Sequence, residues 1–176
     1  MRAHRISSFP ADFQLVLAAN PCPCGAELPT DCTCPSGARR RYQAKLSGPL
    51  RDRVDVFATT TGRPQVAGLK NLGEPSAVVA ERVAAARDRA RHRWGAASNA
   101  QVPGKILRQV GVDDSSSLLL EDMLRTGTIT QRGVDRAIRV AWTLADLDRA
   151  DAPHLGHISD AVELFGADRE LAEAQR

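Results

Sequence analysis

Short apolar runs in the first part of the chain predict β-strands. Phe13–Ala19 is almost entirely apolar and ends at the turn signal Asn20-Pro21. A short run closed by turn residues is typical of a strand buried on both faces of a parallel sheet. Val54–Ala58 predicts a second such strand, interrupted by one aspartate. We therefore expect an α/β fold for residues 1–75, with the last strands of a parallel sheet.

A helical period replaces these runs in the second part of the chain. Apolar residues recur every three to four positions, which predicts helices over residues 76–94, 114–125, 130–147 and 152–172 and a short helical turn over 105–110. The residues expected to pack inward are Val78, Val79, Val83, Ala86, Leu118, Leu119, Leu120, Met123, Val134, Ile138, Ala141, Trp142 and Leu144. A loop rich in Gly, Pro and Thr precedes them, so we expect an all-α bundle over 76–176 as a separate domain.

Composition narrows the cellular setting. The net charge of +3 is compatible with nucleic acid but does not select it. The chain has no apolar stretch of transmembrane length, and its polar start, MRAHRISSFPADF, lacks the apolar segment of a signal peptide. A cytoplasmic protein without a membrane partner is the expectation.

Four cysteines lie close together in the sequence as two Cys-x-Cys pairs: Cys22, Cys24, Cys32 and Cys34. In a cytoplasmic chain such a cluster indicates metal binding more than disulfides. Four thiolates in a small loop can close a tetrahedral zinc site, although the usual spacing is Cys-x2-Cys. The favoured interpretation is a structural zinc site, and the alternative is a plain loop with four reduced cysteines.

A basic cluster follows the cysteines. The sequence predicts a short helix over residues 37–46. Near its start lie Arg39, Arg40 and Arg41. Positive charge at a helix start opposes the helix dipole, so the cluster is a candidate for contact with an anionic partner such as nucleic acid. A solvated basic face is the alternative.

Asn20 lies directly after the first predicted strand. Ligands of parallel sheets bind just beyond the carboxyl ends of the strands, and an amide can orient a water or a phosphate oxygen. Asn20 is therefore a candidate functional residue. The alternative is that it simply opens the turn at Pro21.

Three stretches together carry a resemblance to a known family. LVLAANPCPCG with its second Cys-x-Cys, then RRYQAKLSGPLRDRVDV, and later VAWTLADLD resemble the magnesium-chelatase-like AAA+ ATPases, within them the ComM/YifB family. The resemblance implies an ATPase core followed by a helical lid, with ATP and Mg²⁺ as cofactors. It also implies a homo-oligomeric ring that acts on DNA as a branch-migration helicase.

The phosphate-binding motif G-x-x-x-x-G-K-[ST] does not occur in this sequence. Because the family's phosphate loop lies upstream of the region matched here, we expect the chain to be the carboxyl-terminal part of such an ATPase. We also expect that it hydrolyses no ATP by itself.

The resemblance assigns roles to single residues. Asn20 corresponds to a sensor of the nucleotide, and Arg53, through the pattern L-x-D-R-[VIF]-D, to the arginine finger. Arg51 stands where the family more often has Leu and leaves a second candidate for the finger. Arg132 corresponds to the lid sensor arginine, and Arg139 is a weaker candidate for nucleotide contact.

A second class of function stays open on the residues alone. Arg53 can equally form a surface ion pair with a neighbouring aspartate. The alternative function of the whole chain is a non-enzymatic module, stabilised by zinc, that binds nucleic acid or a protein partner.

Overall fold

A computed structural model describes residues 13–26, 29–45, 48–51, 53–60, 73–95 and 97–173. The chain separates into two compact units, residues 1–45 and 46–176. The domain boundary expected at residues 75 and 76 stays a prediction, and most of the loop expected there lies outside the described residues.

The first unit has little regular structure. A 3-10 turn covers Pro29–Asp31, and helix α1 covers Ser36–Gln43. Pro35, with its φ fixed at a value that suits a helix entrance, precedes α1. The helix expected from sequence covered residues 37–46. The observed helix begins one residue earlier and ends three residues earlier.

The expectation of a parallel sheet is wrong: no strand occurs among the described residues. Phe13–Ala19 pairs with no strand in the part of the chain that the structure describes, and its side chains are exposed, 73% for Phe13 and 80% for Val16. The second predicted strand, Val54–Ala58, has no regular secondary structure, and the N–H of Phe57 donates to the carbonyl of the helical residue Leu164 at 2.7 Å. A strand exists only through pairing with another strand, and an apolar run specifies burial without specifying that partner.

The second unit is helical. Its helices are α2 (Gly48–Arg51), α3 (Ser76–Trp94), α4 (Gly104–Val110), α5 (Asp114–Arg125), α6 (Gln131–Leu147) and α7 (Leu155–Glu173), with a 3-10 turn over Asn99–Gln101. The predicted helices at 76–94 and 114–125 are confirmed to the residue. α6 begins one residue later than expected, and α7 begins three residues later.

Local side chains explain where the central helices begin and end. The carboxylate of Asp113 accepts the N–H of Ser116 at 2.7 Å and caps α5, and the hydroxyl of Thr130 accepts the N–H of Gly133 and caps α6. Between them, Gly127 adopts a φ of +70°, a conformation that L-residues with a side chain rarely take.

Helix α6 forms the centre of the second unit and packs against α3, α4, α5 and α7. Its apolar face repeats every three to four residues and is buried against them, as expected. The core consists of Val102, Leu107, Leu120, Ile129, Val134, Ala137, Ile138, Val140, Ala141, Trp142, Ile158 and Ala161. Three residues expected in the core are exposed instead, Leu118 at 67%, Val78 at 46% and Val79 at 36%.

The edge-to-face pair Trp94–Trp142 joins α3 to α6, with ring centroids 5.6 Å apart.

Within the described part of the chain, no helix combines the length and the apolar character that a membrane span needs.

Candidate functional site

The four cysteines converge to one cluster in the first unit. Their sulfur atoms all lie within 4.8 Å of one another. The Sγ atoms of Cys22 and Cys24 are 3.1 Å apart, and those of Cys24 and Cys32 are 3.9 Å apart. Sequence analysis predicted four thiols in one small loop, and this convergence is confirmed.

Tight turns bring the two Cys-x-Cys pairs together. The N–H of Gly25 donates to the carbonyl of Cys22 at 3.1 Å, which closes a turn around Pro23 and Cys24. Gly25 has a φ of +70°, so a residue with a side chain would be strained there. The turn leaves Cys22 buried and Cys24 exposed.

Hydrogen bonds among the thiols shift their acidities in opposite directions. The thiol of Cys22 stabilises the Cys24 thiolate and lowers the pKa of Cys24 to about 6. The hydrogen bond to Cys24 raises the pKa of Cys34 to about 11, and the same kind of bond together with burial raises the pKa of Cys22. Cys24 is therefore the most acidic of these three thiols, and the thiolate is the form of cysteine that binds metals.

The dimensions of the cluster fit a tetrahedral metal. Zinc bonds thiolates at about 2.3 Å, which places the sulfur atoms of a regular tetrahedron about 3.8 Å apart. The measured separations, from 3.1 Å to the common limit of 4.8 Å, bracket that value. A soft tetrathiolate set favours zinc over hard cations such as Mg²⁺. The residues present therefore fit a structural zinc ion.

Asn20 is exposed and lies beside this cluster. A Cβ on Gly25 would come within 3.4 Å of the Asn20 side-chain nitrogen, so the amide lies against the turn that opens the cysteine loop. That position agrees with the interpretation of Asn20 as a turn residue. Its role as a nucleotide sensor stays a prediction.

The basic cluster occupies the body of α1 instead of its start. Because α1 begins at Ser36, Arg40 and Arg41 fall in the last turn, where the helix dipole favours positive charge. Both are exposed, while Arg39 is half-buried. The argument from an unfavourable dipole therefore fails, and contact of these arginines with nucleic acid stays a prediction.

Arg53 follows α2 in the second unit and is exposed. Its N–H donates to the carbonyl of Leu50 at 3.0 Å, so the backbone turns sharply as it leaves the helix. Asp55, two residues on, contacts Arg136 of α6, with Oδ1 and Nε 3.7 Å apart. The side chain of Arg51, the alternative finger, lies outside the described residues.

Arg132 is the second residue of α6 and is exposed, in the first turn as expected. Arg139, two turns further on, is half-buried, and its Nη2 donates to the carbonyl of Val102 at 3.2 Å. Arg139 thus joins α6 to the loop before α4, and its contact with nucleotide stays a prediction. The structure places Arg53 and Arg132 in one compact unit and the cysteines and Asn20 in the other.

Comparison with protein families decides which family these features belong to. The model of the magnesium chelatase subunit ChlI C-terminal region matches residues 73–164, just over half of the chain. The model of the magnesium chelatase subunit ChlI itself matches residues 1–67.

This chain belongs to the magnesium chelatase family.

Curated relatives place it beside the ComM and YifB proteins of that family. It is 43% identical over 165 residues to an uncharacterized protein of Mycobacterium tuberculosis, covering 92% of this chain and 33% of the relative. It is 34% identical to YifB of Escherichia coli, covering 96% of this chain and 34% of YifB. It is 32% identical to the competence protein ComM of Haemophilus influenzae, covering 92% and 32%. The chain thus spans about a third of the length of these relatives.

Two buried charged residues of this magnesium chelatase family member, Asp146 and Arg136, were not predicted from the sequence. Asp146 lies buried in α6 and binds Arg93 of α3 and Asn99 of the 3-10 turn. Arg136 is buried in the same helix. A charged residue at an inward position of an amphipathic helix was the available signal, since Asp146 follows the buried Trp142 and Ala145 in the helical period.

Proposed function

We propose that this chain is the carboxyl-terminal portion of a magnesium-chelatase-like ATPase of the ComM/YifB type. The parent protein would form a ring and use ATP hydrolysis to drive DNA branch migration, as a helicase does. The observation that carries the proposal is the match of both family models along the chain, 1–67 and 73–164. One of the relatives that this chain matches is the competence protein ComM of Haemophilus influenzae.

The exposed arginines of the second unit supply the part of the chemistry that this chain can contribute. Phosphoryl transfer needs positive charge on the oxygens where negative charge accumulates, and arginine stays charged and presents a planar fork. Arg53 would reach the ATP of a neighbouring subunit as the finger, and Arg132 would contact the γ-phosphate from the lid. Asn20 would orient the attacking water.

ATP and Mg²⁺ are held elsewhere in such a protein. This sequence contains no phosphate-binding loop motif, and the described residues form no acidic strand that could hold Mg²⁺. The isolated chain should therefore hydrolyse no ATP.

The experiment joins this chain to the amino-terminal two-thirds of E. coli YifB, in place of the third that it matches. We expect a ring that hydrolyses ATP and that DNA stimulates. Arg53→Ala should lower kcat at least about 100-fold, since a finger contributes 10³–10⁵ in related enzymes. Arg132→Ala should also lower kcat, whereas Arg125→Ala, an exposed arginine of α5, is the matched control.

The proposal fails if the chimera assembles and binds ATP but hydrolyses it no faster than its Arg53→Ala variant. Loss of activity in the Arg125→Ala control would equally remove the support, because that exposed arginine pairs with Asp122 of its own helix.

We further propose that Cys22, Cys24, Cys32 and Cys34 bind one zinc ion. The metal would supply no chemistry to ATP hydrolysis, and would fix the cysteine loop by cross-linking its two Cys-x-Cys pairs. Elemental analysis of protein purified without added metal should give about one zinc per chain. Cys24→Ser should lose it, and Thr33→Ala, between two of the ligands, is the control.

One observation favours a second candidate, a non-enzymatic zinc-stabilised module that binds nucleic acid or a protein. The cysteine cluster and the basic helix α1 belong to the same compact unit, residues 1–45. For this candidate, DNA binding by the isolated chain should weaken steeply with salt, and Arg40→Ala with Arg41→Ala should flatten that dependence. An inert chimera together with tight binding by the isolated chain would favour this candidate over the ATPase.

A further inference from the structure

The segment that follows Arg53 is held on the helices of the lid. Arg53 closes a turn, residues 54–60 have no regular secondary structure, and the whole segment belongs to the same compact unit as α6 and α7. The N–H of Phe57 donates to the carbonyl of Leu164 in α7 at 2.7 Å. Asp55 contacts Arg136 of α6. Two independent contacts, one from the backbone and one between side chains, therefore fix this segment to two helices.

Arg136 is an unusual residue for its position. Its side chain is only 9% exposed, and its guanidinium lies over the ring of Phe165 in α7, 5.3 Å from the centroid. Burying a guanidinium is costly unless it is paired and its orientation is fixed. The aromatic face and the Asp55 carboxylate provide both, so the side chain is held in one direction, toward the segment that carries Arg53.

The helical register relates this contact to the lid sensor. Arg132 and Arg136 are four residues apart in α6, so they lie on one face of the helix, one turn from each other. Arg53 lies two residues before Asp55 in the chain. A short path therefore leads from one predicted phosphate-binding arginine to the other, through Asp55, Arg136 and one turn of helix.

We propose that Arg136 is a positioning residue that sets the orientation of Arg53 relative to Arg132. It touches neither ATP nor the reacting atoms. It holds the segment that follows Arg53 against α6, so that Arg53 and Arg132 are presented as parts of one body. This inference rests on the proposed ATPase function and adds a residue to which neither the sequence nor the family resemblance assigned a role.

The first arm of the test measures hydrogen exchange in the full chain, without any ATPase assay. Arg136→Gln and Asp55→Asn should each speed exchange of the Phe57 amide by about tenfold, because that N–H bonds to α7 only while the segment is docked. Amides of α5 should keep their rates. Arg136→Lys should restore part of the protection, and Arg125→Gln is the control for loss of one arginine.

The second arm measures ATP hydrolysis in the YifB chimera. Arg136→Gln should lower kcat about tenfold or more with KM for ATP nearly unchanged, since displacement of a catalytic group by about 1 Å is costly and ATP is held elsewhere. In the Arg53→Ala background the same substitution should lower kcat no further. A residue that acts through Arg53 has nothing left to position once Arg53 is gone.

The outcomes separate the two proposals. Equal losses of kcat from Arg136→Gln with and without Arg53 would overturn the positioning role, as would an unchanged exchange rate at Phe57. An inert parental chimera would instead overturn the proposed function and the catalytic half of this inference, and exchange at Phe57 would still decide whether Arg136 holds the segment.

Discussion

The buried carboxylate of Asp146 is the residue whose loss should damage the second unit most. Its side chain is 1% exposed, and both oxygens are bonded to Arg93 of α3, one of them at 3.1 Å. Asn99 donates to the same carboxylate at 2.9 Å, and Nε of Arg89 lies 3.7 Å away. One aspartate therefore ties α3 and the 3-10 turn to the central helix.

Replacing Asp146 with Ala leaves these donors without their acceptor. Removing one partner of a buried ion pair costs about 3–5 kcal/mol. The side chain of Arg93 is 19% exposed and that of Arg89 is 33% exposed, so water can partly solvate both, which places the expected loss near the lower end, at about 3 kcal/mol. For the second unit, residues 46–176, this corresponds to a fall in Tm of about 10 °C.

Urea unfolding followed by the helical circular dichroism signal measures this loss. Asp88→Ala is the matched control, since Asp88 forms an exposed pair with Arg91 in α3 and should change the free energy of unfolding by about 0.5 kcal/mol or less. A double-mutant cycle with Arg93→Ala should show coupling of about 1–3 kcal/mol. An Asp146→Ala loss below about 1 kcal/mol, or no coupling to Arg93, would refute the reasoning.

Three further predictions follow from contacts described above. Thr130→Ala should lower the free energy of unfolding by about 1 kcal/mol through loss of the α6 cap, with Thr130→Ser nearly neutral, measured by urea unfolding. The N–H of Ser116 holds the pKa of Asp113 below its ordinary value. The Asp113 carboxylate therefore stabilises the fold fully above about pH 4, and this stabilisation is lost as the pH falls through the folded pKa. Plots of unfolding free energy against pH for the parent and for Asp113→Ala should converge in acid. Zinc uptake should release protons from Cys22 and Cys34, whose pKa values are raised, so zinc affinity should rise with pH in calorimetry with two buffers.

Features set by neighbouring residues were predictable from the sequence. The bounds of α3 and α5 follow from a helical period and from residues that begin and end helices, all within one or two turns. The convergence of the four cysteines was predictable for the same reason, because two short loops rich in turn residues bring them together.

Features that depend on distant partners were not predictable. The run Phe13–Ala19 has the composition of a buried strand, but pairing requires another strand that no local pattern can supply. The bond of Asp146 joins residues 53 positions apart, and the contact of Asp55 with Arg136 joins two predicted domains. A short apolar segment packed on helices also has the same sequence pattern as a strand in a sheet.

The exposure of Phe13–Ala19 bears on how a cell would handle this polypeptide. Phe13, Leu15, Val16 and Leu17 are apolar side chains within five positions of the sequence, and each is at least 49% exposed to water. Cellular chaperones bind exposed apolar side chains of this kind, and proteases degrade the polypeptides that display them. We expect this chain, produced without a companion polypeptide, to be turned over quickly and to associate with itself as its concentration rises. Its abundance would then be governed by surveillance more than by the rate of synthesis.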